Sequence, residues 1–399
     1  MKRLALALLL TVTALSVFAA PAARIKIVKR ARENPTISFA ASGVDPALAR
    51  EVGNFLSVCG WFDFVRDKGE YTLALRGEGG GIVAELRVGG APVGAWRFSQ
   101  AGTSRDMAKL IVDTLIEKSF RELKVRGFCR SRIAFCAETA PGVRNIYLCD
   151  IDGGNVRQLT NYRSLCVEPC WNPNGRSVFY SKYGRAGMDV LETTVGDRVM
   201  TRVISGFRGI NAGAAVSPDG KKMAVILSPD HLVDLYVLDI GSRRLVSRLT
   251  KGLPVEASPC WSPDGRRIAY VSDQSGSPRI WVVNTNGGGR TRLPTVGADA
   301  VTPDWSGDDR IVFASRVGGN YTLGVYDFRT GKSTRVTNEP GSWESPAWAA
   351  DNRQVVCKRT YRGKSGLFVV DTFTGRAREL LITSYPLSMP AWSPCAPRR

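Results

Sequence analysis

Pro259-Cys260-Trp261-Ser262-Pro263-Asp264-Gly265 is one of six related stretches that recur through the last two thirds of the chain. The other five occupy residues 169–175, 214–220, 303–308, 346–351 and 390–394. Counted at the tryptophan position, which is residue 171, 216, 261, 305, 348 and 392 in turn, successive copies are 45, 45, 44, 43 and 44 residues apart. A period near 40–45 residues, with a turn and an aromatic residue in each unit, is typical of a β-propeller.

Each copy is followed by short β-forming runs, such as residues 267–271 and 280–283. The unit therefore predicts four antiparallel strands joined by tight turns, which form one blade. Pro-Asp-Gly suits the first hairpin, because Pro presets φ and Gly accepts a positive φ. We expect the tryptophan to fill the interface between neighbouring blades. Val216 replaces it in the second copy, which predicts different packing there.

The number of strands indicates how the ring closes. Three runs, at residues 132–135, 146–150 and 157–160, precede the first copy, whereas no run follows the last copy at Trp392. The C-terminal strand is therefore expected to complete the first blade, which gives six blades and a ring closed by both ends of the propeller. An open ring would expose strand edges that promote aggregation. Five or seven blades would require a false or a missed repeat.

The first residues have the pattern of a secretory signal, predicted over residues 1–22. Lys2 and Arg3 precede an apolar run over residues 4–17, and small residues allow cleavage near residue 19 or residue 22. The run is short for a membrane span, and no other apolar run approaches 18 residues. We expect an exported, soluble mature chain without a transmembrane segment.

Residues 23–127 are predicted to form a small α/β domain, and residues 128–399 the propeller. Asp45-Pro46 indicates a helix start, with Asp as the N-cap and Pro at the first helical position. Thr103 or Ser104 is expected to cap a second helix, and strands separated by Gly-rich turns lie between the two helices. About 100 residues suffice for a separate core.

The chain is strongly basic, with a formal net charge of +19. Export argues against nucleic acid as a partner, so anionic headgroups, an envelope polysaccharide or an acidic protein are better candidates. Arg and Lys are spread over both predicted domains, which equally fits a solvated basic surface without one target.

Nine cysteines are an odd number for an exported chain, so at least one is expected to be unpaired within the chain. Several occupy repeat positions that hold Ala or Val elsewhere, which favours small buried apolar residues. A disulfide between Cys166 and Cys170 is the alternative, although strand geometry disfavours it.

No catalytic, cofactor or metal site is predicted. His231 is the only histidine and lies in a predicted loop, and no G-x-S-x-G sequence accompanies it. Gly331-Lys332-Ser333 lacks the glycine spacing of a phosphate-binding loop. No CxxC pair occurs.

The export signal, the small α/β domain, the junction over residues 127–135 and the six repeats together resemble the TolB family, the periplasmic propellers of the Tol-Pal envelope system. The resemblance implies a non-enzymatic scaffold without a cofactor, which we expect to be a periplasmic monomer. It implies a propeller mouth that binds Pal, a peptidoglycan-associated lipoprotein. It also implies an N-terminal region that binds inner-membrane Tol proteins and supports outer-membrane integrity during cell division. The basic residues Arg24, Lys26, Lys29 and Arg30 are the predicted N-terminal partner segment.

Propellers commonly bind partners at the channel mouth, where the innermost strands begin. The residues just ahead of each repeat are therefore the predicted partner-binding residues: Glu168, Phe207, Arg208, Ile210, Asn211, Glu256, Ala257, Ser258, Asp299, Thr302, Trp343, Glu344 and Ser345. Phe207, Trp343 and Arg208 are the residue types that dominate interface energies. By the resemblance, Ile210, Ala257 and Ser258 fall where the propeller meets Pal. The carboxylates among these residues predict an acidic mouth.

Two other functions stay open from the sequence. The first is a glycan- or peptidoglycan-binding periplasmic propeller, and the second is a propeller accessory of a hydrolase. Any of the thirteen mouth residues could also simply line the channel.

Overall fold

The computed structural model describes residues 33–99, 102–185, 187–196 and 198–395. The predicted signal peptide and the segment of Arg24, Lys26, Lys29 and Arg30 lie outside the described residues. The described chain forms an N-terminal α/β region and a six-bladed β-propeller, as the sequence predicted.

The N-terminal region combines one five-stranded sheet with two helices. Its elements are β1 Thr36–Ser42, α1 Pro46–Val58, β2 Asp63–Phe64, β3 Tyr71–Glu78, β4 Gly81–Val88, β5 Ala91–Ser99, α2 Ser104–Ser119 and a 3₁₀ turn at Arg121–Leu123. The strand order is β2-β1-β3-β4-β5, with β1 parallel to both neighbours and the later strands joined as antiparallel hairpins.

Both helices begin at the predicted caps. The Asp45 carboxylate accepts a hydrogen bond from the backbone N–H of Ala47, and the Thr103 hydroxyl accepts one from the N–H of Asp106. These bonds satisfy amides that the helix itself leaves unpaired. The helices bury apolar stripes that include Leu48, Val52, Phe55 and Leu56 of α1 and Met107, Ile111 and Leu115 of α2.

Six four-stranded antiparallel sheets follow. The first blade holds β6 Arg132–Ala140, β7 Val143–Asp150 and β8 Arg157–Gln158; the second β9 Cys166–Trp171, β10 Ser177–Tyr183, β11 Met188–Thr194 and β12 Thr201–Ser205; the third β13 Asn211–Val216, β14 Lys222–Leu227, β15 Asp234–Asp239 and β16 Leu245–Arg248. The fourth holds β17 Glu256–Trp261, β18 Arg267–Ser272, β19 Arg279–Asn284 and β20 Thr291–Arg292; the fifth β21 Ala300–Trp305, β22 Arg310–Val317, β23 Asn320–Asp327 and β24 Lys332–Arg335; the sixth β25 Ser342–Trp348, β26 Gln354–Tyr361, β27 Lys364–Asp371 and β28 Ala377–Ile382.

The last strand, β29 Leu387–Trp392, closes the ring by joining the first blade. It pairs antiparallel with β6, with Trp392 opposite Ile133 and Leu387 opposite Ala137. The first sheet therefore reads β29-β6-β7-β8, as predicted from the number of strands.

The repeated tryptophans pack between neighbouring blades. The Trp261 indole donates to the carbonyl of Ala215 in the preceding blade at 2.9 Å, and Trp348 donates to the carbonyl of Asp304 at 3.1 Å. Val216 cannot make such a bond, and its interface is filled by side chains of the second and third blades, among them Phe179, Met223 and Tyr236.

The N-terminal region packs against the first and sixth blades. Trp61 donates to Asp351 at 2.9 Å, in the turn after β25, and Asn54 donates to Asp152 at 2.7 Å, in the turn after β7. In an antiparallel blade these turns lie at the end where the innermost strand finishes. The region therefore lies on the side of the ring opposite the mouth where the innermost strands begin.

One hydrophobic core runs from the N-terminal region into the propeller. Phe128 packs edge-on against Trp392, with ring centroids 5.8 Å apart. Trp61 packs on Phe120 and stacks under the Arg353 guanidinium of the sixth blade at 4.7 Å. The boundary between residues 127 and 128 stays a prediction, since the packing does not break there.

Candidate functional site

A β-bulge recurs three residues before each tryptophan position. Glu168, Ser258, Thr302, Ser345 and Met389 all have φ between 47° and 55°, and Gly213 has φ of 60°. The register of the innermost strand shifts at each of these residues. A positive φ is uncommon outside glycine, so five non-glycine residues are held in this conformation by the ladder around them.

The bulges surround the central channel. Its cavity of about 420 Å³ is lined by the six bulge residues and by the residues that follow them in each innermost strand. Asp304 is the only carboxylate in the ring of residues directly before the tryptophans, which also holds Cys170 and Cys260. Burial raises the pKa of Asp304 to about 6, although the N–H of Trp348 donates to it at 2.7 Å.

Five residues before each tryptophan, the side chain turns into the blade instead of the channel. Cys166, Asn211, Glu256, Ala300, Trp343 and Leu387 occupy this position, and all six are buried. Three predicted partner-binding residues belong to this set, and they do not present their side chains to a partner in this conformation.

Trp343, which was predicted as an interface anchor, is buried in this structure. It is only 1% exposed and packs edge-on against Phe368, and its indole donates to the carbonyl of Glu339 at 3.2 Å. The guanidinium of Arg359 stacks on its ring at 4.7 Å. Trp343 therefore supports the core between the fifth and sixth blades.

Asn211 supports the neighbouring loop. Its side-chain oxygen accepts from the Ser205 hydroxyl at 2.6 Å and from the N–H of Phe207 at 2.9 Å, and its amide donates to the carbonyl of Phe207 at 2.6 Å. Asn211 thus fixes the residues that lead to Arg208 and Ile210, which are exposed at the mouth.

Glu256 is a buried acid at the mouth. It is 4% exposed, and its Oε2 atom has no hydrogen-bond partner among the described residues. Burial raises the pKa of Glu256 to about 7, and the nearby charge of Asp234 adds to the shift. At neutral pH this side chain is therefore protonated in a large fraction of the molecules.

The other three acids of the mouth have local partners. Asp299 forms an ion pair with Arg316, and Glu344 pairs with Lys358 at 3.0 Å. Glu168 accepts from the N–H of Gly213 at 2.9 Å and so links the second and third blades. The predicted acidic mouth is therefore largely neutralised by neighbouring groups.

The rim also carries exposed apolar side chains, mainly on the third and fourth blades. Leu253 is 90% exposed, and Val255 and Ile210 are 49% and 37% exposed. Phe207 is half-buried against the core of the third blade. The sequence reasoning missed Leu253, although the short stretch Gly252-Leu253-Pro254 between two strands was a usable signal.

The remaining predicted residues have mixed positions. Ala257 is half-buried one residue before a bulge, and Ser258, Thr302 and Ser345 line the channel at their bulges. The Thr302 hydroxyl is buried without a hydrogen-bond partner among the described residues. The structure thus brings these four to the channel and its mouth.

All nine cysteines are free thiols, and seven of them are buried. The possible Cys166–Cys170 disulfide is therefore absent from this structure, and the thiols take the place of small apolar side chains. His231 lies in the turn after β14, with φ of 70°. Within the described ranges, no cluster of three metal-ligating side chains occurs, and no helix is both long and apolar enough to cross a bilayer.

Residues 122–396 match the family model described as the TolB beta propeller domain. The chain belongs to the TolB β-propeller family. Among curated proteins, this TolB-family chain is 33% identical over 147 residues to the "Protein TolB homolog" of Chlorobium chlorochromatii and 28% identical over 191 residues to the "Tol-Pal system protein TolB" of Bordetella pertussis. These matches cover 36% and 47% of the chain and 31% and 42% of the relatives, so each spans less than half of the relative's length.

Solved structures support the fold of this TolB-family chain. TolB from Acinetobacter baumannii superposes with a TM-score of 0.80 at 20% identity, over 91% of this chain and 97% of that one. A putative TolB from Agrobacterium tumefaciens gives 0.53 at 19% identity, over 64% of this chain and 89% of that one. At these identities the likeness concerns the arrangement of the N-terminal region and the propeller.

Proposed function

We propose that this chain is a non-enzymatic periplasmic scaffold of the Tol-Pal type, with a Pal-type lipoprotein at its propeller mouth. Membership of the TolB family supports the class of function. The observation that supports the proposal is the separation of two faces: none of the described N-terminal region covers the mouth on one side of the ring, and that region packs on blades one and six on the other. A scaffold that connects two partners needs two such surfaces.

The mouth suits a protein partner with apolar anchors. Leu253, Val255 and Ile210 offer apolar area on neighbouring blades, and Arg208 adds an exposed guanidinium. Exposed apolar groups bordered by polar ones are typical of protein interfaces. Ala257, Ser258, Thr302 and Ser345 would contact a segment that reaches into the channel.

The predicted buried residues take a supporting role in this proposal. Asn211 and Trp343 would hold the loops of the mouth in place without touching the partner. The three other acids of the mouth would either bind groups of the lipoprotein in place of their present partners, or keep those partners and only shape the rim. These acids are Glu168, Asp299 and Glu344. We propose Arg24, Lys26, Lys29 and Arg30 as the segment that binds inner-membrane Tol proteins.

Calorimetric titration with the soluble domain of a Pal-type lipoprotein tests the mouth. We expect Leu253→Asp and Ile210→Asp to weaken binding at least tenfold, because each places a charge in an apolar contact. Leu245→Asp is the control, since Leu245 is 41% exposed, close to the value for Ile210, and lies on β16 of the third blade away from the mouth. Equal affinities for all three variants would contradict the mouth as the binding surface.

The second surface needs its own measurement. A variant with alanine at Arg24, Lys26, Lys29 and Arg30 should lose binding to inner-membrane Tol proteins and keep its affinity for the Pal domain. Retention of purified peptidoglycan without any affinity for the Pal domain would instead favour a glycan-binding propeller.

A further inference from the structure

A second cavity, of about 350 Å³, lies between α2, the first blade and residues 124–131, which connect the N-terminal region to the propeller and are called the connection below. It is on the side of the ring opposite the mouth and is separate from the partner surface proposed above. Cationic side chains dominate its wall: Lys109 of α2, Arg130 of the connection, Arg132 of β6 and Arg157 of β8.

The acids near this cavity are already bound by other groups. Asp150 accepts from Lys109 at 2.8 Å, from Arg105 at 2.9 Å and from Asn155 at 2.7 Å. All three donors contact the Oδ2 atom of Asp150, and the charges of Lys109 and Arg105 together offset that of the carboxylate.

Two other acids lie near the cavity. Arg130 is paired with the buried Asp113 at 2.9 Å. Asp106 accepts from the Thr103 hydroxyl at 2.8 Å in the cap of α2. Asp113 and Asp150 are therefore paired with cations that hold α2 and the connection in place, whereas Asp106 bonds only a neutral hydroxyl.

Arg132 and Arg157 have no carboxylate partner among the described residues. In the register of the first blade, Arg132 lies opposite Asp150 and Arg157 opposite Leu148. Directly opposed residues share a face of the sheet, as do residues two apart along a strand. Both guanidinium groups therefore project from the same face of the first blade, toward the cavity.

The position of Arg132 is fixed by its neighbours. Its guanidinium stacks on the Trp171 ring at 5.6 Å. Burial lowers the pKa of Arg132, the charge of Arg157 lowers it further, and the charge of Asp150 partly opposes this shift. Two unpaired like charges beside a cavity are unfavourable unless an anion neutralises them.

We propose that this cavity binds a phosphate group, with Arg132 and Arg157 as its direct ligands. Guanidinium groups match the geometry of phosphate oxygens and stay charged at all physiological pH values. Lys109 and Arg130 lie on the opposite wall, where each is paired with a carboxylate. The volume leaves room for a small organic group on the phosphate, so the ligand is either free phosphate or a phosphorylated molecule such as a lipid headgroup.

The site would have a structural consequence. Lys109 belongs to the N-terminal region, whereas Arg132 and Arg157 belong to the first blade. A phosphate held by Arg132 and Arg157 would also attract Lys109 across the cavity and would so tighten the docking of α2 on the ring. A ligand that binds the folded state and not the unfolded state also raises the apparent stability of the protein.

Calorimetric titration of the full mature chain with inorganic phosphate at constant ionic strength tests the site. We expect Arg157→Gln to weaken phosphate binding at least tenfold, which corresponds to about 1.4 kcal/mol. Arg157 is exposed, so its replacement should not affect folding. The control is Arg244→Gln, an exposed arginine one residue before β16, which is the strand of the third blade that corresponds to β8; this variant should bind phosphate like the unchanged protein.

A second probe separates the two sources of phosphate. Vesicles of phosphatidylglycerol and phosphatidylcholine should retain the protein if the ligand is a headgroup, and Arg157→Gln should reduce that retention more than Arg244→Gln does. Binding of either probe with this difference between the variants supports the site. The proposal is wrong if neither probe binds, or if both variants bind equally well.

Discussion

Replacing Trp392 with alanine should test how the ring is closed. Trp392 is 7% exposed, packs against Phe128, and donates from its indole to the Ser131 hydroxyl at 2.7 Å. Truncating a buried tryptophan to alanine costs about 3–5 kcal/mol. Trp261 is the matched control, since it is 8% exposed and also makes one indole hydrogen bond, in its case to the carbonyl of Ala215 in the preceding blade.

The two variants should differ in where the protein opens. Trp261 belongs to a blade built from consecutive strands, whereas β29 reaches the first blade only through its pairing with β6 and its packing. We therefore expect both variants to lose about 3–5 kcal/mol in urea unfolding followed by far-ultraviolet circular dichroism. Only Trp392→Ala should also release β29 locally and speed amide hydrogen exchange in β6.

Hydrogen exchange with mass-spectrometric detection measures that difference directly. The amides of β6 that bond to β29 should lose protection in Trp392→Ala at urea concentrations where the remaining blades are still protected. Unchanged protection of β6, or a loss of stability below about 1 kcal/mol, would refute the view that this tryptophan secures the closing strand.

Three further predictions concern buried polar groups. Burial raises the pKa of Glu256 to about 7, so between about pH 4.5 and pH 7 the folded chain keeps a proton that the unfolded chain loses. The free energy of unfolding should therefore fall as the pH rises through this range. Glu256→Gln should be more stable than the unchanged protein at pH 8, by up to about 3 kcal/mol in urea unfolding, and equal to it at pH 4. Asp113→Asn should cost about 3–5 kcal/mol in the same assay, because it leaves Arg130 without its partner; Asp106→Asn, on an exposed part of α2, should cost much less. Titration of the native protein with an aromatic disulfide should modify few thiols quickly, because seven are buried and burial raises the pKa of both Cys170 and Cys395 to about 11. All nine thiols should react in denaturant. Rapid reaction of many thiols in the native protein would contradict the packing.

The number of blades and their closure could be predicted because each follows from a repeated local signal. The spacing of the tryptophan positions gave the period, and the unequal number of strands at the two ends required β29 to join β6. The caps Asp45 and Thr103 were predictable for the same reason, since a helix start depends on a few adjacent residues.

The orientation of side chains at the mouth could not be predicted in this way. Alternation along a strand assumes an unbroken ladder, whereas each innermost strand carries a bulge that resets which face a side chain occupies. Trp343 and Glu256 precede the bulges and point into the blades, and Ser345 and Ser258 occupy the bulges and line the channel. The bulge residues include Glu, Ser, Thr and Met, so residue type gave no glycine signal for the positive φ.

The core that closes the ring is also the core that holds the N-terminal region. Phe128 contacts Trp392 of β29, and the same cluster continues through Ile133 of the first blade to Val356 of the sixth. Beside it, Arg105 binds Asp150 and Asp152 of the first blade, while Arg353 of the sixth blade stacks on Trp61. The N-terminal region thus bridges the first and sixth blades, which become neighbours when β29 pairs with β6. A change in the docking of this region therefore acts on the interface that closes the ring. A partner on that side therefore has a direct physical route to the propeller through this shared core.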